Sequence, residues 1–378
     1  MAAPAMSVQR TAPLRIALMI ECDGPGGAEL MILELAKELR ARGHSVLPVG
    51  LSSGTGWLGA RFLAAGFEPT SFDLRRPLDL AAVRALTRIL RDFRADVVHS
   101  HEFTMAIYGA AAARRAHARH VITMHGGLYY ANAWRRRAAL RWAARRSAAL
   151  VGVSDATASA LQQHLGIDKS KVHVVPNGIP LRTGVRARLR SELALAAGEL
   201  LIVSVGNLYA VKGHAVLIDA LARLRERSGW RLAIAGRGEE EPRLRAQAAA
   251  LGIGDRVHLL GFRDDVADIL AAGDVFTMPS LSEGLPLALV EGMSFGLPVV
   301  VTRVGGVPEV VTDGVEGLIV PPSDAGALAA ALGELLQDPA RRQQMGAAAR
   351  TRAIRDYALS TMADRYERLY RGETVDDG

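Results

Sequence analysis

Two glutamates eight residues apart, Glu283 and Glu291, frame the most chemically suggestive segment of the chain, PSLSEGLPLALVEGM at 279–293. Pro286 suits the first turn of a helix, where its missing N–H costs nothing. Glu283 then falls in the loop before that helix and Glu291 about two turns inside it. Backbone N–H groups near 284–287 form an anion site at the helix start, flanked by two carboxylates able to accept hydrogen bonds from sugar hydroxyls. A glutamate among Val, Leu and Met on a buried helix needs a partner, because burying a lone charge is costly. Ribose or hexose hydroxyls would supply it; the alternative is two glutamates in unrelated, solvated positions.

Other candidates stand where apolar runs end. Val205-Gly206-Asn207 closes one run, and Lys212-Gly213-His214 opens the following helix. A lysine beside glycine at a helix start can meet a phosphate as a point charge. Gly236-Arg237-Gly238-Glu239 ends the next run in the same manner. In the first half, Asp23-Gly24-Pro25-Gly26-Gly27-Ala28-Glu29 opens a helix, either as an ordinary tight turn or as a place where backbone approaches a ligand. His99, His101 and His125-Gly126-Gly127 also end apolar runs, where their side chains are expected to face a cleft. The glycine pair after His125 leaves room for a ligand, whereas a structural role suits His101 equally well. No third ligand at convincing spacing accompanies the His-Ser-His run, so a zinc site is not expected. Gly54-Thr55-Gly56-Trp57-Leu58-Gly59 with Asp73 matches a dinucleotide fingerprint, but after the second apolar run rather than the first.

These residues need a scaffold, and the chain alternates short apolar runs with helical patterns from end to end. Runs lie near 14–20, 45–51, 96–99, 120–124, 149–153 and 172–175, then 200–206, 231–235, 256–260, 274–278 and 298–301. Amphipathic stretches at 28–42, 79–93, 131–148 and 155–165 fall between the earlier runs. This alternation implies α/β architecture with parallel sheets covered by helices, and such sheets bind ligands outside the carboxyl ends of their strands. The 378 residues suit two domains. Residues 177–199, rich in Gly, Pro and charge, mark the junction, giving domains over 1–178 and 179–352. A long helical stretch near 340–370 either caps the second domain or, over 353–378, crosses back to the first.

Composition narrows the class. Hydrophobic residues make up 49% and charged residues 22%, which fits well-packed cores rather than a disordered chain. The net charge of +7 favours anionic partners without choosing among them. Cys22 is the only cysteine, so no internal disulfide or CxxC metal site exists and a reducing, cytoplasmic setting is expected. The apolar run from Leu14 is too short to span a membrane and is read as a first buried strand.

With these residues in view, SEGLPLALVEGMSFGLPVVVTRVGGVPEVV at 282–311 resembles the Glu-x7-Glu signature of the retaining glycosyltransferases of family 4. Matches to that family run along nearly the whole chain: GGAE (26–29), DVVHSHE (96–102), MHGG (124–127), GVSDAT (152–157), PNGI (176–179), VGNLYAVKGH (205–214), IAGRG (234–238) and VHLLGF (257–262). The resemblance implies the GT-B fold, two Rossmann-like domains facing an interdomain cleft, with a UDP- or GDP-linked sugar held chiefly by the second. It implies that Glu291 holds the ribose and Glu283 the transferred sugar. Lys212 would neutralise the diphosphate with the backbone N–H groups of Leu285 and Leu287, and His125 would contact the sugar near the reacting centre. Gly27 would allow close backbone approach, and Asn207 and Gly236 complete the donor-binding set. No metal or separate cofactor is expected.

Asn207 departs from the pattern, since many relatives carry Arg there. The expected activity is retaining transfer of a hexose to a glycan or lipid-linked acceptor in cell-envelope or polysaccharide synthesis. An NAD-dependent oxidoreductase and an inactive nucleotide-sugar-binding subunit are the alternatives. Residues 114–146 place Trp134 and Trp142 among arginines, which suits either a helix with a solvated face or peripheral contact with anionic membrane. No nucleic-acid partner is expected.

Overall fold

The computed structural model describes residues 12–24, 26–51, 56–75, 77–126 and 133–373. Its strands form two sheets. The first contains β1 (Arg15–Met19), β2 (Ser45–Leu51), β3 (Thr70–Phe72), β4 (Val97–His101), β5 (Arg119–Met124), β6 (Ala149–Gly152) and β7 (Val172–Val174). Their spatial order is β3-β2-β1-β4-β5-β6-β7. The second contains β8 (Leu200–Val205), β9 (Trp230–Ala235), β10 (Val257–Leu259), β11 (Val275–Met278), β12 (Val299–Thr302) and β13 (Gly317–Val320), in the order β10-β9-β8-β11-β12-β13. The strand pairs whose registers are resolved all run parallel. Parallel strands buried on both faces read as continuous apolar runs, which is why Ile16–Met19 and Val299–Val301 stand out in the sequence.

Alternate residues of the second sheet feed two cores. Val203, Ala233, Phe276 and Val301 point to one side, whereas Ile202, Leu232, Val275 and Val300 point to the other. The chain divides into a unit of residues 1–124, 133–150 and 367–375 and a unit of residues 125–132, 151–366 and 376–378.

Two strands lie outside the apolar runs recognised above. β3 has only three residues, two of them hydroxylic, and β13 is four residues beginning with glycine. Neither is long enough to show a hydrophobic period. The charge-rich segment 177–199 contains a helix, Arg186–Glu192, whose Leu189 is buried. Its arginines are paired: Arg186 and Arg190 bind Asp274, and Arg188 binds Asp268.

The stretch near 340–370 is two helices, Pro339–Asp356 and Leu359–Arg371. Ile179 pairs with the break between them, its N–H donating to the Tyr357 carbonyl at 2.9 Å and its carbonyl accepting from Leu359 N–H at 2.9 Å. Beyond the break, the last turns belong to the first unit. Tyr370 OH lies 2.7 Å from His99 Nδ1, Arg119 Nε donates to the Leu369 carbonyl at 2.9 Å, and Glu367 contacts His44 Nε2 at 2.9 Å. Among the described residues no helix is long and apolar enough to cross a membrane.

Candidate active site

The loops after β8, β9, β11 and β12 meet backbone to backbone, and glycine makes this possible. A Cβ on Gly236 would fall on the Gly206 carbonyl oxygen, and one on Gly213, whose φ is +68°, would fall on the Pro279 carbonyl oxygen. Gly305 has φ +49°, and a Cβ there would strike the Glu283 carbonyl oxygen. The adjacent Gly306 N–H donates to the Gly284 carbonyl at 2.8 Å. Gly284 in turn lies against the His125 carbonyl, with no room for a side chain. His125, Glu283 and the 304–306 turn are thus held in one stack.

Within this frame Lys212 Nζ donates to Glu283 Oε1 at 2.7 Å, and Ser280 Oγ donates to the same oxygen at 2.6 Å. Only 8% of the Glu283 side chain is exposed against 29% for Lys212. The carboxylate is therefore the desolvated partner and the lysine its counter-ion. Lys212 ends a short 3-10 turn, Ala210–Lys212, and His214 opens the helix His214–Ala222. Burial holds the His214 ring at a pKa of about 4, with the Lys212 charge adding to the depression, although backbone hydrogen bonding to Gly206 and Asn207 opposes it. Burial likewise lowers His125 to about 4, so its imidazole is neutral at physiological pH. It can share hydrogen bonds there without bringing a charge.

Pro286 is extended and precedes the helix Leu287–Ser294 rather than standing within its first turn. Glu291, four residues past Leu287, is therefore just over one turn inside rather than two. It is half-buried between Val290 and Gly292. A Cβ on Gly292 would lie 2.7 Å from the Phe276 ring, so this helix sits directly on β11. Leu285 is buried and Leu287 partly so, and Asn177 Nδ2 stands 3.5 Å from the Leu285 carbonyl. Asn207 follows β8, where Leu208 N–H donates to the Arg237 carbonyl at 2.9 Å.

Lys212, Glu283, Glu291, Asn207, Gly236, Leu285, Leu287 and His125 all belong to the second unit, and Gly27 to the first. Gly27 begins the helix Gly27–Ala41, and the Glu29 carboxylate folds back over Gly26. Burial, reinforced by Asp23, raises the Glu29 pKa. Ser280 is a site residue that the sequence candidates do not include. Its position three residues before Glu283, at a strand exit, is the signal that could have found it.

The first-half histidines are corrected by the structure. His99 does not face a cleft: it is fully buried, with Nδ1 on Tyr370 and Nε2 2.8 Å from Thr123 Oγ1. His101 is also fully buried, its ring centroid 4.0 Å from that of His99. Both side chains are drawn into the interior of the first unit rather than left at the strand exit. Among the described residues no cluster of three His, Cys, Asp or Glu could hold a metal. Pro25, Gly54, Thr55, Gly127 and residues 128–132 lie outside the described residues. The remaining part of the dinucleotide-like run, Gly56–Gly59, opens the helix Trp57–Ala64 after β2.

Residues 185–352 match the model of the group 1 glycosyl transferases, and residues 25–183 match that of Glycosyltransferase Family 4. The MMP alpha-(1->4)-mannosyltransferase of Mycolicibacterium hassiacum is 32% identical over 81% of this chain and 76% of its own. The chain belongs to glycosyltransferase family 4. A second family 4 relative, the D-inositol 3-phosphate glycosyltransferase of Acidothermus cellulolyticus, is 30% identical over 93% of this chain and 86% of its own. The crystal structure of Anabaena HepE in complex with UDP superposes with a TM-score of 0.84 over 95% of this chain and 100% of that one. At 23% identity that likeness shows the shared fold. Membership of family 4 makes the protein an enzyme, a glycosyltransferase that uses nucleotide-sugar donors within a family of retaining hexosyltransferases. It displaces the oxidoreductase alternative.

Proposed function

We propose that this family 4 enzyme moves a hexose, with retention, from a UDP- or GDP-sugar to a glycan or lipid-linked acceptor in cell-envelope or polysaccharide synthesis. The observation that carries the reading is the convergence of Lys212 and Ser280 on Glu283 beside the start of the helix Leu287–Ser294. In this reading Lys212 turns to the donor diphosphate when it binds, which frees Glu283 to accept hydrogen bonds from the transferred sugar. Backbone N–H groups at Leu285 and Leu287 and the helix dipole share the diphosphate charge. Glu291 takes the ribose hydroxyls, Asn207 and Gly236 border the phosphates, and neutral His125 hydrogen-bonds the sugar. Gly27 gives backbone access on the acceptor side.

In the transfer step the C1–O bond to the diphosphate breaks, and its electron pair leaves with the phosphate oxygen. The acceptor oxygen bonds C1 from the same face, and its proton passes to the departing phosphate. Electrostatic stabilisation of that leaving charge is the largest contribution expected of the protein. A donor screen of UDP- and GDP-sugars by thermal shift and hydrolysis tests the donor class. NMR of the first-formed product tests retention; an inverted anomer overturns it.

Peripheral contact with anionic membrane on the cytoplasmic face is part of this proposal. On the helix Trp134–Arg146, Leu140, Ala143 and Ala144 are buried, whereas Trp134 and Trp142 are exposed at 68% and 37%. Six arginines and no acidic residue share the helix. Such a face suits an anionic interface. Cosedimentation with phosphatidylglycerol vesicles at low salt is expected to fall on Trp134→Ala with Trp142→Ala, and absence of wild-type binding overturns it.

A further inference from the structure

The helix Asp155–Leu165 is capped twice, and the two caps differ in kind. Its own N-cap residue, Ser154, accepts from Thr157 N–H at 3.1 Å through Oγ. The two N–H groups before that one have no carbonyl within the helix to bond. Both go to Glu309, 154 and 153 residues away: Oε2 accepts from Asp155 N–H at 2.8 Å and Oε1 from Ala156 N–H at 2.8 Å. A carboxylate is the favoured partner there, since the helix dipole adds to two charge-assisted bonds. A local cap serves the helix alone, whereas this one ties the helix to another element.

That element is fixed through its backbone. Glu309 lies on the four-residue helix Val307–Val310, and its carbonyl accepts from Arg352 Nη2 at 2.8 Å and from Tyr357 OH at 3.3 Å. Arg352, on the helix Pro339–Asp356, also donates to Thr312 Oγ1 at 2.7 Å and to Glu316 Oε1 at 3.1 Å. With its main chain anchored, Glu309 draws the start of the helix Asp155–Leu165 onto the Gly305–Gly306 turn. There is no slack at the contact: a Cβ on Gly306 would lie 2.9 Å from Ser154 Cβ and 2.6 Å from the Gly284 carbonyl oxygen. Gly305 abuts the Glu283 carbonyl. The Glu309 clamp therefore reaches Glu283 through one layer of backbone. Glu291 and Leu287, by contrast, stand on the helix Leu287–Ser294, which has its own seat on β11 at Gly292.

We propose that Glu309 is a positioning residue for the transfer: its carboxylate holds the start of the helix Asp155–Leu165 against the Gly305–Gly306 turn, and so sets where Glu283 meets the transferred sugar. The proposal rests on the transferase reading above and adds a residue to it.

Steady-state kinetics and calorimetry on the full chain test it. Glu309→Gln keeps the size of the side chain but turns one oxygen into an NH2 donor, which cannot accept from an N–H. Its kcat at saturating donor is expected to fall about 10- to 100-fold, the scale of a small misplacement at the reacting centre. Affinity for whichever of UDP and GDP the wild type binds is expected to stay unchanged, because neither nucleotide carries the sugar. Glu309→Asp, with the charge kept on a shorter stem, is expected to recover part of the rate. A wild-type kcat in Glu309→Gln overturns the inference. So does a loss of nucleotide affinity in step with kcat, which is what general damage to the second unit would give. If Glu309→Gln does not fold, Glu309→Asp is read by the same split: a fall in kcat alone supports the clamp, and an unchanged kcat or a parallel loss overturns it. A wild type that binds neither nucleotide and transfers no sugar sinks the transferase reading itself, whereas wild-type transfer with an indifferent Glu309 sinks the clamp alone.

Discussion

Lys212 Nζ and Glu283 Oε1 are 2.7 Å apart, joined across 71 residues of sequence. The carboxylate is nearly buried and the lysine is not. The pair is therefore asymmetric: losing the lysine strands a charge, whereas losing the carboxylate releases one to solvent. Lys212→Ala is expected to lower kcat/KM by about two to three orders of magnitude. Glu283→Gln should also lose activity, and the double variant should lose much less than the two single effects combined. Additive losses in a double-mutant cycle would show that the residues act separately.

Glu291 offers a cleaner test of donor placement. Its assigned role is a charge-assisted hydrogen bond to ribose, worth about 1.5–3 kcal/mol. Glu291→Ala should therefore weaken nucleotide binding by calorimetry while the melting temperature without ligand stays close to wild type. Undiminished affinity would refute the ribose assignment.

Gly305 supports Glu283 through backbone alone. Gly305→Ala meets both a left-handed φ of +49° and the Glu283 carbonyl oxygen. It should cost about 1–3 kcal/mol of stability. The donor KM should rise with it. A wild-type urea midpoint would mean that the turn relaxes freely.

Burial gives His125 a pKa of about 4 in the fold against 6.5 unperturbed. The unfolded chain then binds its proton first as pH falls, so this contribution is complete above about pH 6.5 and is lost towards about pH 4. Full titration corresponds to about 3 kcal/mol. Urea midpoints followed between neutral pH and about pH 5 should decline, less steeply in His125→Asn. His120, lowered to about 3 by burial, and His214, at about 4, add to the wild-type decline. An identical slope in the variant would remove His125 from the account.

The sheets were legible because parallel strands buried on both faces leave apolar runs, and most runs became strands within a residue or two. β3 and β13 escaped because three or four residues carry no period. Glu283 and Lys212 could be singled out by type and position, but their pairing could not, since it depends on how the loops after β8 and β11 meet. Ser280 could have been found from its place three residues before Glu283, but its hydrogen bond to that carboxylate could not. His99 misled because the apolar run stops at Val98 whereas the strand continues to His101, so a histidine in mid-strand, packed on a tyrosine 271 residues away, reads as one at a strand exit.

That tyrosine has a consequence for how the chain comes into being. Because Tyr370, Leu369 and Glu367 complete the packing around His99, Arg119 and His44, strands made early are finished by residues made 250 to 323 positions later. A ribosome-bound chain can therefore hold the second sheet in finished form while the first still lacks its closing piece. A chain ending before Glu367 is expected to show greater amide exchange in β4 and β5 than the full chain. Maturation here runs backwards along the chain: β4 and β5 wait on a helix translated long after them.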